Sequence, residues 1–208
     1  FTMDQLGREN YELAMRMKFD ASKSGGYAFE ICRATGFEQT IEGKKDFELF
    51  CMMGFEQTIE GKKDFEICRM MGFPLTISGK EEFDVCEAMA FTKSTSGKAD
   101  YDACKQMGFE MNLESSRLAF ESCRAMGFAL SEGGREDFEF CKLMGFELSA
   151  EGKLQFQEAC YLGFEKNEGI AVDYFMLKAM GFDKKIDYDA CRNAGFITTP
   201  YAPDERTK

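Results

Sequence analysis

The sequence predicts an all-α fold: an α-solenoid, or superhelical array, of about eleven short antiparallel helices, each supplied by one 18-residue repeat. Three observations predict it. The segment GFEQTIEGKKDFE occurs at Gly36 to Glu48 and returns letter for letter at Gly54 to Glu66. A Gly-Phe pair recurs along the chain, with an aromatic residue seven positions before each Gly. Four positions after most of these glycines stands a residue whose short polar side chain caps helices.

The Gly-Phe pair marks where each helix stops. It occurs at Gly36-Phe37, Gly54-Phe55, Gly72-Phe73, Gly108-Phe109, Gly127-Phe128, Gly145-Phe146, Gly163-Phe164, Gly181-Phe182 and Gly195-Phe196, while Lys18-Phe19 and Ala90-Phe91 keep only the Phe. Gly just past a helix end enters the left-handed region without a Cβ penalty, and the next residue closes a Schellman motif. One continuous helix would also keep an 18-residue period on one face. Recurrent Gly costs such a helix about 1 kcal/mol each time, and Pro74 would break it.

Each helix starts at a residue that can accept from first-turn amides: Ser22, Thr40, Thr58, Thr76, Ser94, Asn112, Ser131, Ser149 and Asn167. Each cap contributes about 1 kcal/mol. The unit is thus a helix such as Thr40 to Met53, joined to the next by about four residues. So short a link predicts antiparallel neighbours paired into 36-residue hairpins. That length falls in the size class of tetratricopeptide and Sel1-like arrays, but the residue signatures of those families do not recur here, so none of their binding residues carries over.

The core is read from the periodic positions. The aromatic column comprises Phe29, Phe47, Phe65, Phe83, Tyr101, Phe120 and Phe138, with Tyr11, Phe156, Tyr174 and Tyr188 in the same register. Three residues on comes Cys32, Cys68, Cys86, Cys104, Cys123, Cys141 or Cys191, replaced by Ala14, Phe50, Ala159 or Leu177 elsewhere. Met usually precedes the Gly position. Together these cover a wide helix face, which requires more than one neighbour. The predicted organisation is one array over 1–196, with a capping unit over 1–19, regular units over 20–182 and a shortened last unit over 183–196. An extended tail, 197–208, carries Pro200 and Pro203. One 19-residue unit runs from Gly108 to Gly127.

Little in the sequence supports chemistry. Histidine is absent from the 208 residues, which removes the usual imidazole base and metal ligand. The nine cysteines form no Cys-x-x-Cys pair, and Phe50, Ala159 and Leu177 replace them without a compensating ligand. They are expected to be core, with no catalytic, cofactor-binding or metal-ligating residues assigned. Asp46, Asp64, Asp100, Asp137, Asp173 and Asp187 repeat in register and are expected to be solvated or paired with Lys and Arg. The first-turn glycines Gly25, Gly43, Gly61, Gly79, Gly97, Gly134 and Gly152 are expected to permit close approach of a neighbouring helix. The lysines that follow them are expected to be solvated.

A net charge of −11 disfavours nucleic acid as a partner, and no apolar run is long enough to span a membrane. The expected function is a non-catalytic scaffold or linker that joins protein subunits of a larger assembly, which can itself be membrane-bound. Two alternatives stand beside it: a peripheral linker of a photosynthetic antenna or photosystem supercomplex, and a binding module for an apolar ligand or amphipathic helix. The free thiols point to a reducing compartment, either cytoplasm or an organelle interior such as the chloroplast stroma.

Overall fold

The computed structural model describes residues 5–196, and among them every regular element is an α-helix. The helices are α1 (Gln5–Arg16), α2 (Lys23–Ala34), α3 (Ile41–Met53), α4 (Ile59–Met71), α5 (Ile77–Ala88), α6 (Thr95–Gln106), α7 (Glu114–Ala125), α8 (Glu132–Leu143), α9 (Ala150–Tyr161), α10 (Ile170–Ala179) and α11 (Lys185–Asn193). The predicted tail, 197–208, lies outside the described residues. No helix among those described is long and apolar enough to cross a membrane.

The backbone leaves the helix at every Gly-Phe. Gly54 and Gly72 have φ of 79° and 86°, in the left-handed region that L side chains avoid. The Phe37 amide donates to the Cys32 carbonyl at 3.1 Å and the Gly36 amide to Arg33 at 3.0 Å, which is the Schellman pair of bonds. Lys18 and Ala90, which replace Gly, are forced into the same region at φ 63° and 59°.

Helix starts follow the caps in most units. Thr40 Oγ1 accepts from the Gly43 amide at 3.0 Å, and Ser22, Thr58, Thr76, Ser94, Ser131 and Ser149 repeat the bond. Two expected caps do not fit. In the 19-residue unit the extra residue moves the start to Glu114, so Leu113 rather than Asn112 adjoins α7. Asn167 stands two residues ahead of Gly169, which occupies the cap position of α10 with no side-chain bond. There the cap and first-turn amides find carbonyls at the end of α8 instead: Gly169 N–H meets Leu143 O at 3.3 Å and Ala171 N–H meets the O of Met144, the residue that caps α8, at 2.9 Å.

The chain divides into two compact units, Phe1–Lys105 with Glu110–Arg117, and Gln106–Phe109 with Leu118–Lys208, the border running through α7. Each is built by the same contacts. In the first, the Phe that ends one helix packs edge-on against the column aromatic of the next and touches that of the next but one. Phe37 lies 5.6 Å from Phe47 and 6.2 Å from Phe65, and Phe55 lies 5.7 Å from Phe65 and 6.3 Å from Phe83. In the second, Phe128 lies 6.1 Å from Phe138 and 6.2 Å from Phe156. Such pairs add about 1 kcal/mol each beyond burial. The geometry therefore recurs within each unit.

The columns read from the sequence form the core. Phe29, Cys32, Phe47, Phe65, Cys68, Phe83, Cys86, Tyr101, Cys104, Phe120, Cys123, Phe138 and Cys141 are buried, as are the end residues Phe37, Phe55, Phe73, Phe91, Phe109, Phe128 and Phe146. Cys191 is half-buried and Phe196 exposed, because no further helix among the described residues covers the last one. At the other end Tyr11, the first column aromatic, is 44% exposed. Among the described residues no buried side-chain nitrogen or oxygen lacks a partner.

Candidate functional site: a groove repeated at one-helix intervals

The turn after each helix decides what lies beside it. The turn carbonyl two residues before the cap folds back over the next helix's first turn: Glu56 O accepts from Thr58 N–H at 2.7 Å. A Cβ on Gly61 would lie 2.0 Å from that same Glu56 oxygen, and one on Gly43 would lie 2.0 Å from Glu38 O. The first-turn glycines are thus required by the chain's own preceding turn, five residues back, and not by a neighbouring helix as the sequence led us to expect. Backbone on backbone leaves no room to yield.

The next residue is a cation, and it is not solvated as expected. Lys44, Lys62, Lys80 and Lys98 are between 17% and 22% exposed. Each ammonium lies over the Phe that ends the helix two before its own, at 5.3, 5.2, 5.2 and 4.7 Å from the centroids of Phe19, Phe37, Phe55 and Phe73. Each also pairs with an acid one turn on, as Lys98 does with Asp102 at 2.6 Å. Lys62 Nζ donates to Gly36 O at 2.7 Å, and Arg117 and Arg135 donate to Met89 O and Met107 O at 2.8 Å. A positive charge thus meets the carbonyl-rich end of a helix, where unpaired acceptors and the dipole favour it.

Between these features runs a groove that recurs 18 residues apart. One copy, of about 180 Å³, is lined by Glu38, Glu42, Asp46, Lys62, Glu66 and Arg69. The next, of about 290 Å³, replaces them with Glu56, Glu60, Asp64, Lys80, Asp84 and Glu87. Arg69 giving way to Glu87 makes the second copy the more acidic. Part of this charge is paired: Asp46 with Arg69 of the next helix at 2.9 Å, and Asp64 and Glu87 with Lys93 of the turn after α5 at 3.5 and 2.6 Å. Glu38, Glu42, Glu56 and Glu60 remain exposed along the rim. The sequence showed the repeated acids, but only the fold shows that two successive helices and a turn gather them into one trough.

No cysteine lines either groove. Burial pushes Cys32, Cys68, Cys86, Cys104, Cys123 and Cys141 up to about 11 from an ordinary value near 9. A thiol held that high stays protonated at neutral pH. Among the described residues no three Cys, Asp or Glu side chains are placed to hold a metal ion. No family model, curated protein or solved structure matches this chain.

Proposed function

We propose that this protein is a non-catalytic scaffold that joins protein subunits of a larger assembly, engaging basic segments of them along its repeated acidic grooves. The observation that supports this reading most is duplication: two grooves of the same construction stand 18 residues apart, each rimmed by exposed carboxylates. A reaction centre gains nothing from being copied at helical intervals. A contact surface gains avidity, because a second engagement by one partner is intramolecular. Exposed apolar side chains in matching register, Met52 with Met70 and Ile59 with Ile77, add contact area on the same helices.

The test is cross-linking mass spectrometry on the protein in its native source, paired with reversal of two exposed rim charges, Glu42→Lys and Glu60→Lys. The expected result is cross-links from lysines of other subunits to the groove carboxylates, lost in the double variant while its helicity is unchanged. A native protein that migrates as a lone chain without cross-links to others would overturn the proposal.

A further inference from the structure

Two helices, α2 and α10, lack the cation that the others carry at the same register. Arg8 in α1, Lys44, Lys62, Lys80 and Lys98 in α3 to α6, and Arg117, Arg135 and Lys153 in α7 to α9 all stand ten residues before the helix-ending Gly position, and α2 has Gly26 there. The acid that serves this cation is retained. Glu30 occupies the register of Glu12, Glu66, Asp84 and Asp102, which pair with Arg8, Lys62, Lys80 and Lys98 at 2.9, 3.1, 2.5 and 2.6 Å. In α10 the equivalent residue is Ala171, and its backbone amide closes directly on α8. In α2 a cleft of about 450 Å³ opens instead, lined by Tyr11, Ser22, Lys23, Gly26, Tyr27 and Glu30.

We propose that this cleft receives a lysine side chain from a protein partner, which supplies in trans the cation that Gly26 omits. Tyr27, which is 72% exposed, presents ring surface for the alkyl stem and ammonium. Glu30 is held by Arg33 at 3.0 Å, yet its side chain is 43% exposed and its carboxylate can take a second donor. The chain's own lysines show the preferred arrangement, an ammonium about 5 Å from a ring centre and bonded to a carboxylate one turn away. Lys23 at the rim repels a second positive charge, so the site suits a single ammonium on an apolar stem better than a polyamine. The inference deepens the scaffold reading by naming the chemistry of one contact, and its test uses probes that are not the assembly's subunits.

The test is a titration of the whole ¹⁵N-labelled chain with the capped tripeptide Ala-Lys-Ala, its norleucine counterpart, n-butylammonium and spermidine, followed through amide shifts of Gly26, Tyr27 and Glu30. The lysine peptide and butylammonium should bind in the millimolar range, spermidine no more tightly, and norleucine should leave the shifts unmoved. Glu30→Gln should weaken binding about three- to tenfold, as loss of an exposed ion pair reinforced by aromatic contact would. Gly26→Lys should abolish it by filling the cleft from within, with circular dichroism confirming that both variants fold. Equal shifts from the norleucine peptide, no shifts with the lysine peptide, or undiminished binding by Gly26→Lys would each overturn the inference. Binding of butylammonium without the peptide would reassign the cleft to a free amine and overturn the protein source.

Discussion

Lys62 closes the end of a helix to which it does not belong: its ammonium donates to the Gly36 carbonyl at 2.7 Å and stands 5.2 Å above the Phe37 ring. The contact joins α4 to the end of α2 and satisfies an acceptor that the helix itself leaves open. Replacing Lys62 with Met keeps the stem and removes the charge. The expected loss is about 1 to 2 kcal/mol, read as a lower urea midpoint with unchanged slope. Lys63→Met, on the exposed pair with Glu60, should leave the urea midpoint of the parent protein unchanged. Equal effects from both would refute the closing role.

The two glycine columns answer differently to alanine, and one further glycine provides the contrast. At Gly43 a Cβ meets the Glu38 carbonyl oxygen at 2.0 Å, so Gly43→Ala should destabilise by more than about 2 kcal/mol although Ala is the better helix former. Gly133, one residue before the equivalent Gly134, has nothing within 4 Å of its would-be Cβ, and no positive φ. Gly133→Ala should stabilise by a few tenths to about 1 kcal/mol. Thermal unfolding of the pair decides it, and opposite signs are required.

Ala90 sits at φ 59° where its counterparts are glycine. Left-handed backbone costs an L residue about 1 to 2 kcal/mol, part of which Gly returns through the entropy of the unfolded chain. Ala90→Gly should therefore stabilise by about 0.5 kcal/mol. The reverse change, Gly54→Ala, should destabilise by about 1 kcal/mol through backbone conformation alone, because its would-be Cβ has open space around it. A lower melting temperature for Ala90→Gly would contradict the left-handed assignment.

The buried thiols set an alkaline limit. Their pKa is raised in the folded protein, to about 11, so between pH 9 and 11 the unfolded chain has already lost protons that the native one still holds. Stability is whole below pH 9 and falls as pH rises toward 11. Urea midpoints at pH 7.5, 9 and 10 should fall over the last step, and Cys104→Ala should carry a shallower alkaline slope alongside its lower starting stability. Midpoints flat to pH 10 would show that the thiols do not control the limit.

What the sequence determined by itself were the helix ends and the core columns. Thr40 and Gly43, or Gly36 and Arg33, interact within three residues of one another, so residue types at fixed spacing are enough to place the cap and the stop. Phe47, Cys68 and Met89 announce burial by period alone. The tertiary structure decided what spacing cannot express. Asn112 and Asn167 fail as caps because an inserted residue moved one helix start and α8 supplied acceptors to the other. Lys62 is drawn from solvent to a carbonyl 26 residues away, and Tyr11 of α1 is brought to line the same cleft as Gly26 of α2. The physical reason is common to all of these: a backbone bond to a near neighbour is set by local geometry, whereas a side chain's surroundings are set by which distant segment the packed helices bring against it.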